Sequence, residues 1–347
     1  MSFISNLALK SLAIGYGVIT RARLAAYERG LLKKTKLGVP VISVGNITTG
    51  GTGKTPLVEW LCRVLAREGR KVAILTRGYG RVNPGQRVVV SDGMNVLTNV
   101  QQAGDEPQLL AENLKGIAAV ICDSHRSAAG QWAIEHLGSD VFVLDDGFQH
   151  LQLARDLNIL TMDATNPWGG RNPLPYGRMR EPSSSLARAD CVILTRTEQS
   201  DDLNALKDEV QHMTDSPIFT SRMKTRLIRR IDSADPEKTE SVHHPLMAFC
   251  GVGNPHTFFN HLEQEGLTVA HSRAFSDHHR YQQPDIDILV EEAEKHGATA
   301  LITTAKDAVK IRNLAFALPC YVLEIEITID QEDRLLHLIK ATIAKGQ

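Results

Sequence analysis

Val41-Ile-Ser-Val-Gly-Asn-Ile-Thr-Thr-Gly-Gly-Thr-Gly-Lys-Thr55 is the stretch on which the fold turns. A β-branched, apolar run runs into a loop holding Gly50, Gly51 and Gly53, and a helical pattern starts at Thr55. Glycines at such positions let the backbone turn its N–H groups inward around phosphate oxygens. A helix that follows points its positive end at the same place. In this strand–loop–helix context Thr48, Thr49, Gly50, Gly51, Thr52, Gly53, Lys54 and Thr55 read as a nucleotide-phosphate loop. Lys54 would reach the β- and γ-phosphates, and the Thr55 hydroxyl would ligate Mg²⁺. The general pattern G-x-x-x-x-G-K-[ST] has Gly where this chain has Thr48; the GGTGKT core is intact.

Working outward, short apolar runs alternate with helical patterns. Val39–Val44, Val72–Thr76, Ala118–Cys122, Val141–Leu144, Leu157–Met162 and Cys191–Leu194 read as strands, with helices over Thr55–Glu68 and Arg126–Leu137. This alternation implies a mostly parallel sheet covered on both faces. The Pro-, Gly- and Arg-rich stretch Asn166–Pro182 reads as a long functional loop. An extended, basic segment from Ile218 to Ile231, then the polar run Asp232–His244, marks a boundary. Beyond it comes a second α/β set: strands Met247–Cys250, Leu267–His271, Ala300–Thr303 and Tyr321–Ile325, and helices Pro255–Glu265, Asp285–His296 and Gln331–Ala344. The expected division is an N-terminal helical segment 1–38, a phosphate-loop domain 39–217, a linker 218–244 and a C-terminal α/β domain 245–347.

A chain of 347 residues suits two domains, and 42% apolar with 23% charged residues excludes a disordered or fibrous chain. A net charge of −1 argues against a nucleic-acid partner. Cys62, Cys122, Cys191, Cys250 and Cys320 form no CxxC pair, which argues against a zinc ribbon or a secreted disulfide scaffold. No apolar run reaches the roughly 18 residues of a spanning helix. Residues 1–38 nevertheless carry seven Lys/Arg against Glu28 alone, with Leu12, Ile14, Val18 and Ile19 among their apolar residues. Two readings stand: an amphipathic helix lying on an anionic membrane surface, or one that packs on the domain.

A phosphate loop needs a carboxylate at a neighbouring strand end, and Val141-Phe-Val-Leu-Asp145-Asp146 supplies two. A nucleotide switch of the GTPase kind would carry [NT]-K-x-D after a late strand. Leu194-Thr-Arg-Thr-Glu198 has Arg for Lys and Glu for Asp, which favours ATP and a kinase. On the acceptor side, Arg77-Gly-Tyr-Gly-Arg81 offers guanidinium forks that suit phosphate. Asp105 in Gly104-Asp-Glu-Pro107 either caps a helix or accepts a hydroxyl proton. Asp123-Ser-His-Arg126 follows another strand end, and carboxyl-end loops of a doubly wound sheet converge on one crevice. Phe275-Ser-Asp-His-His-Arg-Tyr281 reads as a His–carboxylate proton acceptor in preference to a metal site. Thr303-Thr-Ala-Lys-Asp307 is a comparable strand-end cluster, and Gly251-Val-Gly253 reads as a turn.

GNITTGGTGKTP (45–56), TRGYGR (76–81), GDEP (104–107), DDGFQH (145–150), GRMREP (177–182), FSDHHRY (275–281) and TTAKDAVK (303–310), in this order, closely resemble the tetraacyldisaccharide 4′-kinase family. The resemblance runs over nearly the whole chain. It implies a phosphate-loop NTPase-like three-layer α/β/α kinase domain and a smaller α/β C-terminal domain, joined by an extended two-stranded linker. It implies transfer of the γ-phosphoryl of ATP, with Mg²⁺, to the 4′-hydroxyl of an acylated glucosamine disaccharide 1-phosphate, giving lipid IVA in lipid A biosynthesis. It places such an enzyme peripherally on the cytoplasmic face of the inner membrane, with no obligate protein partner. Carried onto this sequence, it assigns Lys54 and Thr55 to phosphates and Mg²⁺, and Asp145, Asp146 and Glu181 to the metal. Asp105 becomes the base, raised in basicity or oriented by His278. Asn46, Arg77, Tyr79, Arg126 and His150 hold the headgroup, and Arg180 steadies transition-state charge. A nucleotide switch or another small-molecule kinase is the alternative.

Overall fold

The computed structural model describes residues 3–233, 236–237, 242 and 245–345. Its strands are β1 (Val41–Gly45), β2 (Val72–Thr76), β3 (Val88–Ser91), β4 (Ala118–Cys122), β5 (Val141–Asp145), β6 (Leu157–Asp163), β7 (Cys191–Thr195), β8 (Ile218–Arg230), β9 (Pro236–Glu237), β10 (Leu246–Cys250), β11 (Val269–Ala274), β12 (Ala300–Thr304) and β13 (Cys320–Ile329). Its helices are α1 (Phe3–Glu28), α2 (Lys54–Arg67), α3 (Val100–Ala103), α4 (Asp105–Asn113), α5 (Arg126–Leu137), α6 (Leu203–Gln211), α7 (Pro255–Gln264), α8 (Gln283–Lys295), α9 (Ala305–Ile311) and α10 (Glu332–Lys345). Much of the expected polar run 232–244 lies outside the described residues.

The strands form one continuous sheet in the order β11-β10-β12-β13-β8-β7-β6-β1-β5-β2-β4-β3, with β9 on β8. Pairing is parallel from β7 through β4 in the first lobe and from β11 through β13 in the second. The lobes meet through β8. Its first residues, Ile218–Thr220, pair in parallel with β7. From Ser221 onward it runs antiparallel to β13, Ser221 opposite Ile329 and Arg230 opposite Tyr321. This antiparallel pair joins two α/β lobes, and both of its strands continue into flanking sheet.

The central strands β1, β2, β4 and β5 are buried along their whole length, which suits their Val, Ile, Leu and Ala content. Helix α2 lays Leu57, Val58, Leu61, Cys62 and Leu65 against them, one face of a 3.6-residue period. Leu335, Ile339 and Ile343 of α10 join that same core. The expected boundary at residue 245 grouped this helix with the second domain; its apolar stripe instead returns to the first lobe. A separate core fills the space between β10, β12, β13 and α7. The five cysteines are free and buried.

Candidate active site

The carboxyl ends of the parallel strands open on a cleft of about 1010 Å³ between the lobes. Its floor is the loop between β1 and α2. Gly53, at φ 74°, turns the chain into α2, and a side chain there would strike Met223. The loop is braced from behind by hydroxyls and an amide. Asn46 Nδ2 donates to Thr52 Oγ1 (3.0 Å), and Thr161 Oγ1 lies 2.9 Å from that oxygen. Thr195 Oγ1 donates to Thr52 O (3.0 Å). Asn46 and Thr48 are therefore buried supports of the loop, whereas Thr49 through Thr55 line the cleft. Asn46, which the family resemblance assigned to the headgroup, is fully buried behind the loop and is not among the residues that line the cleft.

Arg196 donates to Gly51 O and Asp163 Oδ2, both at 2.5 Å. Glu198 accepts from the Met223 amide. The segment weighed as a guanine reader is thus occupied in holding the phosphate loop. From the second lobe, the Gly251–Asn254 turn sits on the same loop. A Cβ on Gly253 would lie 2.9 Å from Gly51 N, so only glycine allows this approach. Arg178 donates to Gly253 O (3.0 Å), while its own carbonyl accepts from Thr49 N (2.7 Å). The long loop 166–182 therefore flanks the phosphate loop.

Lys54, the first residue of α2, reaches Asp146 (3.3 Å). Arg180 grips both oxygens of Asp146 (2.8 and 2.6 Å) and approaches Gln149 Oε1 (3.4 Å). Although burial works against the charge, Lys54 and Arg180 hold the Asp146 carboxyl well below its usual range. Asp145, one residue earlier at the end of β5, is 4% exposed and accepts from Thr76 Oγ1 (3.0 Å). Burial, with Glu106 and Asp146 close by, raises its carboxyl. The two neighbouring carboxylates are thus unlike: one is neutralised by cations and one is not. A buried carboxylate without a cation, on the same cleft as the Thr55 hydroxyl, is the hard oxygen set that Mg²⁺ takes. Among the described residues no three acidic, imidazole or thiol side chains form a ready metal cage. Glu181 stands apart. It is 3% exposed, pairs with Arg188, and does not reach the cleft, so the sequence assignment of Glu181 to the metal finds no geometric support.

The wall that the sequence assigns to the acceptor holds two pairs. Asp105, the first residue of α4, is 5% exposed. His278 Nδ1 from the second lobe donates to its two oxygens at 3.0 and 2.8 Å. His278 lines the cleft and Asp105 stands behind it, which reverses the order of contact the sequence reading gave them. Burial opposes the Asp105 charge, but the His278 hydrogen bond, Lys306 and Lys310 hold that carboxyl at about 2. Burial likewise opposes protonation of His278, yet the Asp105 bond raises it above its ordinary value. Tyr79 places its ring 5.0 Å from that of His278.

Arg126, at the start of α5, donates to His150 Nδ1 (3.2 Å). Because that nitrogen accepts, His150 is neutral with its proton on Nε2. Burial, with Arg126 and Arg155 nearby, pushes its imidazole down to about 3. Arg126 Nε and His150 Nε2 are buried without a protein partner, and both residues line the cleft. Buried donors without acceptors mark a place for a polar or anionic ligand. Arg77 and Tyr79 border the same space. Arg81, weighed with Arg77 as a phosphate fork, instead donates to carbonyls of Pro84, Gln86 and Cys122 and shapes its own loop. Sequence reasoning passed over Tyr16, Arg23 and Gln149, which also line the cleft. The signal for the first two lay in the mixed basic and apolar character of α1.

Fold and site together define a phosphate-loop phosphotransferase, with the phosphate loop and His278 on one cleft. The model of the family described as tetraacyldisaccharide-1-P 4′-kinase matches residues 5–344, and the chain belongs to that family. A tetraacyldisaccharide 4′-kinase of Desulfotalea psychrophila is 40% identical over 322 residues, covering 91% of each chain. One from Geobacter sulfurreducens is 41% identical over 321 residues, covering 90% of this chain and 86% of the relative. The crystal structure of the Aquifex aeolicus family member in complex with ATP superposes with a TM-score of 0.78 at 30% identity, over 97% of this chain and 99% of that one.

Proposed function

We propose that the chain transfers the γ-phosphoryl of ATP to the 4′-hydroxyl of a tetraacylated glucosamine disaccharide 1-phosphate, in lipid A biosynthesis. The observation that carries this reading is the meeting, on one cleft, of the Lys54–Asp146–Arg180 cluster and the Asp105–His278 pair. The phosphate loop cradles the β- and γ-phosphates, Lys54 and Arg180 meet the charge that builds on the transferred group, and alignment does the rest. Thr55 and Asp145 would hold Mg²⁺, which would supply positive charge to the phosphate oxygens. The acceptor hydroxyl gives its proton to the Asp105–His278 pair. Nδ1 of the imidazole is committed to Asp105, so Nε2 is the accepting atom, and the ionised Asp105 stabilises the imidazolium that forms. Arg126, His150, Arg77 and Tyr79 supply donors and an aromatic face to the sugar and its phosphate.

His278 reaches Asp105 only when the lobes are docked. The cross-lobe contacts are charged and partly exposed, among them Lys306–Glu106 (2.9 Å), Arg312–Glu112 (2.6 Å) and Arg280 to Gly80 O (3.0 Å). Such contacts are individually weak, which suits lobes that part and close to admit substrate and exclude water.

No described helix is long and apolar enough to cross a membrane. Helix α1 docks through Ala13 and Tyr27, donates from Tyr16 to Arg180 O (2.9 Å), and turns Arg23 into the cleft. Leu12, Ile14, Val18 and Ile19 remain exposed. This face, with the Lys and Arg residues that follow, fits the anionic cytoplasmic surface of the inner membrane, so the cleft would open beside the lipid it uses. The test is transfer of labelled γ-phosphate from Mg·ATP to tetraacyldisaccharide 1-phosphate in detergent micelles, with Lys54→Ala as control. Lys54-dependent formation of the bisphosphorylated lipid is expected; ATP turnover with no lipid product would sink the acceptor assignment.

A further inference from the structure

We propose that Lys306 and Lys310, one turn apart on α9 of the second lobe, are positioning residues for phosphoryl transfer: they lock the Asp105–His278 pair in place and bring two positive charges to it when the lobes meet. The inference rests on the reading of that pair as the proton acceptor. Lys306 Nζ lies 2.9 Å from Glu106 Oε1 and 3.2 Å from Asp277 Oδ1. Glu106 is the neighbour of Asp105, and Asp277 is the neighbour of His278. One ammonium group therefore clamps the backbone segments on which both members of the pair are mounted, one from each lobe. Lys310 Nζ lies 2.7 Å from Asp307 Oδ1 and 3.8 Å from Asp105 Oδ2, behind the pair. Asp307 is fully buried and accepts from Thr304 Oγ1 (2.7 Å), Gly251 N (3.0 Å) and Tyr281 OH (3.2 Å). Lys310 is thereby fixed to the strand end and to the foot of the loop that carries His278.

The charges that face the pair are few and can be named. Asp105 meets His278, Lys306 and Lys310, with Glu106 beside it on α4; His278 meets Asp105, Asp277, Lys306 and the Tyr79 ring; Lys310 meets Asp307, Asp105, Tyr281 and the Cys250 thiol. Positive charge next to this pair favours a carboxylate on Asp105 and disfavours a proton on His278. That is the state able to take the hydroxyl proton. His278, Lys306 and Lys310 all belong to the second lobe, so the imidazole and both ammonium groups reach Asp105 together when the lobes dock. The lysines make the base competent in the docked arrangement.

The test is kcat/KM against pH, with labelled ATP and the lipid acceptor in micelles, for Lys306→Met, Lys310→Met and the two Lys→Arg variants, each checked by thermal melting. Either Met variant should move the half-point of the acid limb upward by about one pH unit and lower neutral-pH turnover about tenfold, and Arg should restore the original half-point. A loss of rate that is uniform across pH, or no loss at all, overturns the proposal. If Lys310→Met does not fold, Lys306→Met decides alone, because its side chain reaches the cleft wall. His278→Ala separates the two levels. Unaltered turnover there removes the pair as proton acceptor, whereas a collapse of turnover with unmoved lysine profiles removes this inference only.

Discussion

Lys54 and Arg180 come to the cleft from one lobe and each lies within 3.3 Å of Asp146, whereas Asp105 and His278 meet across two lobes, 173 positions apart. The phosphate wall is braced from behind by Asn46, Thr52, Thr161 and Thr195, all buried. The acceptor wall is held by ion pairs that cross the lobe boundary. On the proposed reading, the phosphate side is built mainly within one lobe, with the Gly251–Asn254 turn of the second lobe seated on its loop, whereas the proton acceptor needs one residue from each lobe. Under that reading, a proton acceptor that needs both lobes limits transfer of the phosphoryl group to water.

The sharpest way to break the comparison is at its rigid side. Lys54→Ala should lower kcat about 10³-fold, read by labelled phosphate transfer, with the protein still folded. Near-normal turnover would mean that the transferred phosphate is held elsewhere. On the assembled side, His278→Ala should lower kcat about 10²- to 10⁴-fold while ATP affinity, by equilibrium dialysis, stays within a few-fold. Loss of ATP binding would show that the two walls are not separable.

The phosphate wall was the legible part because a strand, a glycine loop and Lys54–Thr55 are contiguous, and local chemistry decides their conformation. Strands β2 and β4 and helix α5 were readable at their observed ends for the same reason. Four features were not. Helix α9 is seven residues long, too short to show a period, so Thr303–Asp307 read only as a strand-end cluster. Strand β13 extends to Ile329, past the expected end at Ile325, because β8 pairs with its alternately polar second half. The return of α10 to the first lobe is a tertiary fact that an apolar stripe cannot specify. Glu181 and Arg81 carried the right chemistry in the right loops, but each found a private partner, Arg188 or nearby carbonyls, before reaching the cleft.

A pH series sharpens the contrast further. His278 is raised above its ordinary value by Asp105, so transfer should rise with pH through a half-point above about 6.5 and fall away below it, as imidazolium replaces imidazole. ATP binding should not follow that limb, since Asp146 remains ionised under Lys54 and Arg180 throughout. A shared limb would tie the two walls to one titration. A smaller effect is expected where the lipid headgroup meets the acceptor wall. Arg126→Lys keeps the charge but loses the fork, and should raise KM for the disaccharide about tenfold with kcat within a few-fold, by initial rates at saturating ATP. An equal fall in kcat would place Arg126 among the groups that act on the transition state.

The smallest expected effect lies outside both walls, on α1. Ile19 is 70% exposed in a helix whose other side donates to Arg180 O and borders the cleft. A free apolar side chain there has no partner within the described residues, and a bilayer surface would take it. Ile19→Glu removes apolar area and adds a negative charge beside an anionic surface, so partition to vesicles of anionic phospholipid should fall about fivefold. Turnover of a micellar acceptor should stay close to the parent value, because Ile19 touches neither wall. Sedimentation with vesicles measures the first and initial rates the second. If partition is unchanged, α1 is a packing element that happens to be apolar outside. If turnover in micelles falls with partition, α1 instead steers the acceptor through Tyr16 and Arg23, and the membrane face and the acceptor wall are one surface.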